Sequence, residues 1–199
     1  MRSVSAAELS VLETNKVLKN TYLLLSATLG FSALTALFSM SLNIGGMMPL
    51  IMMIGAIVLG MFVLPKTANS SAGLGVIFLI TGMLGFAIGP MLNMYLGLSN
   101  GSQVVLTALG GTAAIFVGLS SYAVNSKKDF SFMRGMLIAG MIAVFVLILA
   151  NIFLKMPGLQ LIVSGAVIML MSGFILMDTS RIVLGGETNY IMATFGMYL

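Results

Sequence analysis

Cysteine and histidine are both absent from this sequence of 199 residues, and so is tryptophan. The missing thiols and imidazoles exclude a disulfide framework, a cysteine nucleophile, a serine–histidine centre and the usual haem and zinc sites. Charge is scarce as well: 7% of the residues are charged, against about a quarter in a soluble domain. No basic run is interleaved with aromatics, so the net charge of +4 does not point to nucleic acid. Calcium held tightly wants about 6–8 oxygen ligands, and with five Asp and Glu in the whole chain no high-affinity metal site is expected. An aspartyl intramembrane protease would need two membrane-embedded Asp residues. Besides Asp178 the chain has only Asp129, in the polar stretch "SKKDFS". The chain is therefore read as neither an enzyme nor a cofactor protein.

What remains is apolar. Hydrophobic residues make up 59% of the chain, with 23 Gly and 19 Met; the mean hydropathy is +1.14. Helices need about 20 apolar residues to cross a bilayer, and six such runs lie between polar punctuation, over residues 21–42, 44–64, 73–97, 104–124, 132–154 and 159–184. The linkers "NIGGMMP", "PKTANSS", "LSNGSQ", "NSKKDFS" and "KMPG" are short and rich in turn formers, which makes consecutive helices antiparallel neighbours in one bundle. The sequence thus predicts an all-α polytopic membrane protein. It divides into a leader over residues 1–20, a six-helix bundle over 21–184, and a turn with the start of a seventh helix over 185–199. The first span lies behind a mixed-charge leader and is longer than a signal-peptide core, so it is read as retained.

Cations set the orientation. With the N-terminus inside, Arg2, Lys16, Lys19, Lys66, Lys127, Lys128, Arg134 and Arg181 all fall on the cytoplasmic side and only Lys155 outside. Reporters at Ser99 and Ser126 should then lie on opposite sides. Lys127 and Lys128 also suit anionic membrane lipid.

In "GMLGFAIGPMLN", Gly85 and Gly89 form a GxxxG pair, Pro90 removes a backbone donor and Asn93 follows one turn later. Two readings stand: a hinged helix with Asn93 on a polar path, or close packing with an interhelical hydrogen bond.

The charged stretch "ILMDTSRIVLGGETNY" also has two readings. Asp178 and Arg181, at i and i+3 after a long uncharged run, can form an interfacial pair worth about 0.2–0.5 kcal/mol. Alternatively the apolar "IVL" lets the span slide until Asp178 lies deeper, where an ionised carboxylate costs about 2.5–3.5 kcal/mol and marks an ion or proton path. Gly185 and Gly186 stop this helix. The following "IMATFGMYL" is too short to cross and is read as a seventh span cut short.

Several of these stretches together resemble one family: "TNKVLKNTYLLLSATLGFSALTA", "KTAN", "GPMLNMYL", "GGTA", "KKDFSFMRGML", "ANIFL" and "GGETNYI". In order and over nearly the whole chain they are similar to the transmembrane Bax inhibitor motif family, most of all to its YccA-like bacterial inner-membrane branch. The resemblance implies six helices around a central seventh. It also implies a pH-sensitive calcium leak in which an Asp ending the sixth helix shares a proton with an Asp on the seventh. Asp178 matches the first and is the implied gate and pH sensor, while the second would fall beyond Leu199. Members with the leak carry an Arg on the second helix. Here the second span has only Lys66 at its inner end, leaving Lys66 and Arg181 as charge partners for Asp178. Shared-proton carboxylates attract and doubly ionised ones repel, so titration would open a gate. YccA-like relatives are also linked to the membrane-anchored protease FtsH, which gives the alternative reading: a modulator of FtsH with no transport activity. Residues 1–20 would then suit a cytosolic handle, or else lie on the membrane as an amphipathic segment.

Overall fold

The computed structural model describes residues 6–42 and 44–199, with side chains from residue 14 onward except at 43. Among the described residues seven helices follow in order: α1 (Ala6–Ser41), α2 (Met48–Thr67), α3 (Ser71–Leu96), α4 (Gly101–Ser126), α5 (Met133–Leu154), α6 (Pro157–Val183) and α7 (Tyr190–Tyr198). Among the described residues there is no strand, and the first six helices are long and apolar enough to cross a membrane. The all-α polytopic architecture expected from hydropathy is the one found. Residues 1–5 of the leader lie outside the described residues. From Ala6 its backbone is helical and runs into the first span without a break. The stretch from Ala6 to Leu29 contains no Gly or Pro and is rich in Ala, Leu, Glu and Lys, all good helix formers.

Helices stop where the backbone requires it. Gly46 takes φ +73 ahead of α2, and Pro49 and Pro157 occupy the first turns of α2 and α6, where a missing amide costs nothing. Inside α2, Pro65 cannot supply the amide that a carbonyl one turn earlier needs. The helix widens there into a π-helical turn over Leu59–Val63, with the Leu64 amide donating to the Leu59 carbonyl five residues back.

Two compact units arise, dividing within α4 and after Gly186. In the first, α3 is the centre: α1 and α2 each pack along it, and α7 lies against α1 and α3. Small residues set the α1–α3 spacing. A Cβ on Gly85 would run into the Ser32 carbonyl and the Thr35 hydroxyl, and one on Gly89 would come within 2.6 Å of Ser39. Such seams replace the hydrophobic effect, which does not drive helices together in lipid. The fully buried hydroxyls of Thr21, Thr28 and Thr81 donate back to carbonyls of their own helices, at 2.8, 3.0 and 2.9 Å, so they cost little. In the second unit α5 and α6 exchange knobs: Leu170 of α6 sits over Gly140 of α5, and Leu137 of α5 over Gly173 of α6.

Candidate functional site

The last two turns of α6 carry the residues singled out by their charge. Asp178 is half-buried and Arg181, one turn on, is exposed, while Thr179, Ser180 and Ile182 turn inward. The buried hydroxyls tie α6 to its neighbours. Thr179 Oγ1 lies 3.3 Å from Ser120 Oγ of α4. Ser180 Oγ donates to the Lys128 carbonyl at 2.7 Å and accepts from the Phe130 amide at 3.4 Å. The connection between α4 and α5 is thereby strapped onto α6 beside Asp178. The chain leaves α4 through Lys127 at φ +50, a left-handed conformation that a glycine would adopt with less strain.

Next in that connection, Asp129 accepts hydrogen bonds from the hydroxyl and the amide of Ser131. The Ser131 hydroxyl, and then its amide, hold the Asp129 carboxyl below its ordinary value of 3.8. A lowered folded pKa stabilises the ionised turn at all pH values above the unfolded value, and the contribution disappears as pH falls through the folded one. Amide exchange at Ser131, corrected for intrinsic rates, should therefore be flat across neutral pH and rise only as pH falls below the ordinary value of 3.8.

The other candidate residues lie elsewhere. Lys66 is exposed in the last turn of α2 and belongs to the first unit, whereas Asp178 and Arg181 belong to the second. Pro90 sits inside α3, which continues to Leu96. Asn93 donates through Nδ2 to the Met40 carbonyl of α1 at 3.0 Å. Among the described residues no three Asp, Glu, His or Cys side chains group as a metal site would require.

Sequence reading missed how α7 docks. Asn189 Oδ1 accepts from the Ile191 and Met192 amides at 2.9 and 3.1 Å, capping α7. Its Nδ2 donates to the Ala68 carbonyl at 3.0 Å and to Asn69 Oδ1 at 2.7 Å. Glu187 accepts from the Asn189 amide at 3.1 Å. The Phe195 ring packs on Gly60 within the π-helical turn of α2. Near the end of α7 the Tyr198 hydroxyl meets Ser32 Oγ, which also bonds the Thr81 carbonyl, so α1, α3 and α7 share one polar junction. A cleft of about 510 Å³ lies between the α2–α3 turn and the start of α7, with Asn69, Ser70, Ser71, Thr188 and Asn189 in its wall. Asn189 just before an apolar run was the legible signal for the cap.

Comparison with known proteins places these features. Residues 14–199 match the family described as inhibitor of apoptosis-promoting Bax1. The chain is 53% identical over 188 residues to an uncharacterized membrane protein of Vibrio cholerae, covering 94% of this chain and 84% of that one. It is 47% identical over 190 residues to the modulator of FtsH protease YccA of Escherichia coli K12, covering 96% of this chain and 86% of that one. The same identity and coverage hold for the inner membrane protein YccA of another Escherichia coli strain. The spans and these relatives together make it a multi-pass protein of the inner membrane. It belongs to the Bax inhibitor family.

Proposed function

We propose that the protein modulates a membrane-anchored protease of the FtsH type and is not itself an enzyme. The observation that carries this reading is the 47% identity, over 96% of the chain, to a protein named as such a modulator. The sequence fits it: none of these 199 residues offers the thiol or imidazole that hydrolytic centres commonly use. The structure supports it through α1. The helix begins at Ala6, ahead of the first span, and is clamped along its membrane portion by the glycines of α3. With the N-terminus in the cytoplasm, as the cation distribution favours, a protease that pulls on that end would load the best-packed seam of the first unit.

A second reading, a pH-sensitive calcium leak gated at Asp178, is favoured by the half-buried position of that carboxylate beside the strapped α4–α5 connection. Lys66 and Arg181 would be its charge partners, and Pro90 and Asn93 its hinge and path; a leak needs only weak, transient calcium contacts.

One reconstitution separates the two. Vesicles holding the protease, a membrane-protein substrate and the full chain should degrade the substrate several-fold more slowly than vesicles without the chain, whereas equal rates would overturn the modulator reading. Calcium efflux from vesicles with the chain alone, at about pH 6 and about pH 8, tests the leak. Efflux whose pH dependence vanishes in Asp178→Asn would establish it, and no efflux in either would end it.

A further inference from the structure

The short linkers lead to the expectation that consecutive helices are neighbours, but α1 and α2 do not lie against one another along their length; each packs on α3 instead. The gap between them is a cavity of about 440 Å³ floored by α3. Gly75, Phe78, Gly82, Met83 and Phe86 of α3 lie along it, spaced as one stripe of a helix, with Phe31 of α1 and Met52 of α2 as walls. We propose that this slot holds one acyl chain of a phospholipid from the surrounding bilayer.

Chemistry and shape decide the occupant. The lining offers no free polar group: the hydroxyl of Thr35, its one polar side chain, donates to the Ser32 carbonyl at 2.9 Å. A water molecule needs 2–4 polar partners and finds none here. Left empty, the slot would forfeit dispersion contacts over its entire lining. Its flanks bear Leu34, Ile51 and Leu79, exposed by 65, 57 and 52%. In a chain with six membrane-spanning helices, the medium at such a face is hydrocarbon.

The long axis follows α3 from Gly75 to Phe86, about 16 Å at 1.5 Å per residue. Spread over that length, 440 Å³ leaves the cross-section of a single methylene chain. A partner helix, about 10 Å across with its side chains, does not fit. Gly75 makes room in the floor, since a Cβ there would meet nothing within 4 Å. Phe31 and Phe78, edge to face with ring centres 5.6 Å apart, form a stiff wall. The driving force is shape complementarity rather than the hydrophobic effect, because the chain leaves one hydrocarbon environment for another.

The test is native mass spectrometry of the full chain, purified in detergent after reconstitution with phosphatidylethanolamine and phosphatidylglycerol. One phospholipid should stay bound per chain at collision energies that remove the rest. Gly75→Leu, which fills the floor without a clash in the bare protein, should retain at least about tenfold less, the order expected from overpacking a fitted site. Gly30→Leu, at an open position of α1 outside the slot, should retain as much as the parent. Leu79→Asn adds a polar group at the rim with little change of bulk and should weaken retention as well, which covers the case of a misfolded Gly75→Leu. No retained lipid in the parent, equal retention in Gly75→Leu and Leu79→Asn, or a second copy of the chain in place of lipid would each overturn the proposal.

Discussion

Gly85→Leu is expected to abolish folding of the first unit. Even Gly85→Ala should cost about 2 kcal/mol or more, within the range for overpacking. The reason is the nature of the obstacle. A side chain at this position meets the backbone carbonyl of Ser32, not the tip of a flexible side chain, so α1 and α3 must separate along their seam. Separation would also break the polar junction of Ser32, Thr81 and Tyr198 and release the end of α7. Gly30→Ala is the matched control. It lies in α1, two residues before Ser32, a Cβ there meets nothing within 4 Å, and alanine should stabilise the helix by about 0.5–1 kcal/mol. Thermal unfolding in detergent, followed by helical circular dichroism, reads both. Equal midpoints for Gly85→Ala and the parent would show that the seam is not tight.

Phe195→Ala should lower stability by about 3 kcal/mol, near the lower end for deleting a large core aromatic because the ring is half-buried. Its partner is the missing side chain of Gly60, so the two positions are coupled. Gly60→Ala alone pushes the ring out of its notch. In the double variant Gly60→Ala with Phe195→Leu, the new methyl fills part of the space that the smaller side chain vacates. A double-mutant cycle should therefore give a favourable coupling of about 1 kcal/mol. Additive effects would mean that the ring and the π-helical turn do not depend on each other.

Hydropathy made the six spans legible, because a bilayer admits few alternatives to an apolar helix of fixed length. Its failures are local and have physical causes. The start of α1 was hidden because residues 6–20 are polar, although their helix propensity is high. Pro65 was assigned to a linker, since a proline near a polar stretch usually ends a helix; here the helix widens instead and runs on to Thr67. For the GxxxG pair close packing was one of two readings, and nothing in the sequence said that Ser32 and Ser39 of α1 would face it. The strap at Ser180 could not have been read at all. Its partners are 50 and 52 residues away, and an isolated Ser or Thr in an apolar helix is ordinarily satisfied by its own backbone. Asp178 and Arg181 stood out through the rarity of charge. The hydroxyls that surround them did not.

The wide turn in α2 has a consequence for direction. A π-helical turn accommodates one residue more than the α-helical path needs, and one residue corresponds to about 100° around the axis. The halves of α2 before and after Leu59–Val63 are therefore out of phase. The side of the helix that the first half presses onto α3 is not the side it would present beyond Leu64 had the helix stayed regular. The bearing of Lys66, the only charge on α2, is thus set by an inserted phase step rather than by the apolar stripe that precedes it. Removing a single residue between Leu59 and Val63 would let the helix run regularly with that ammonium on its present side, whereas a regular helix that kept every residue would swing it about a quarter of the way around the axis.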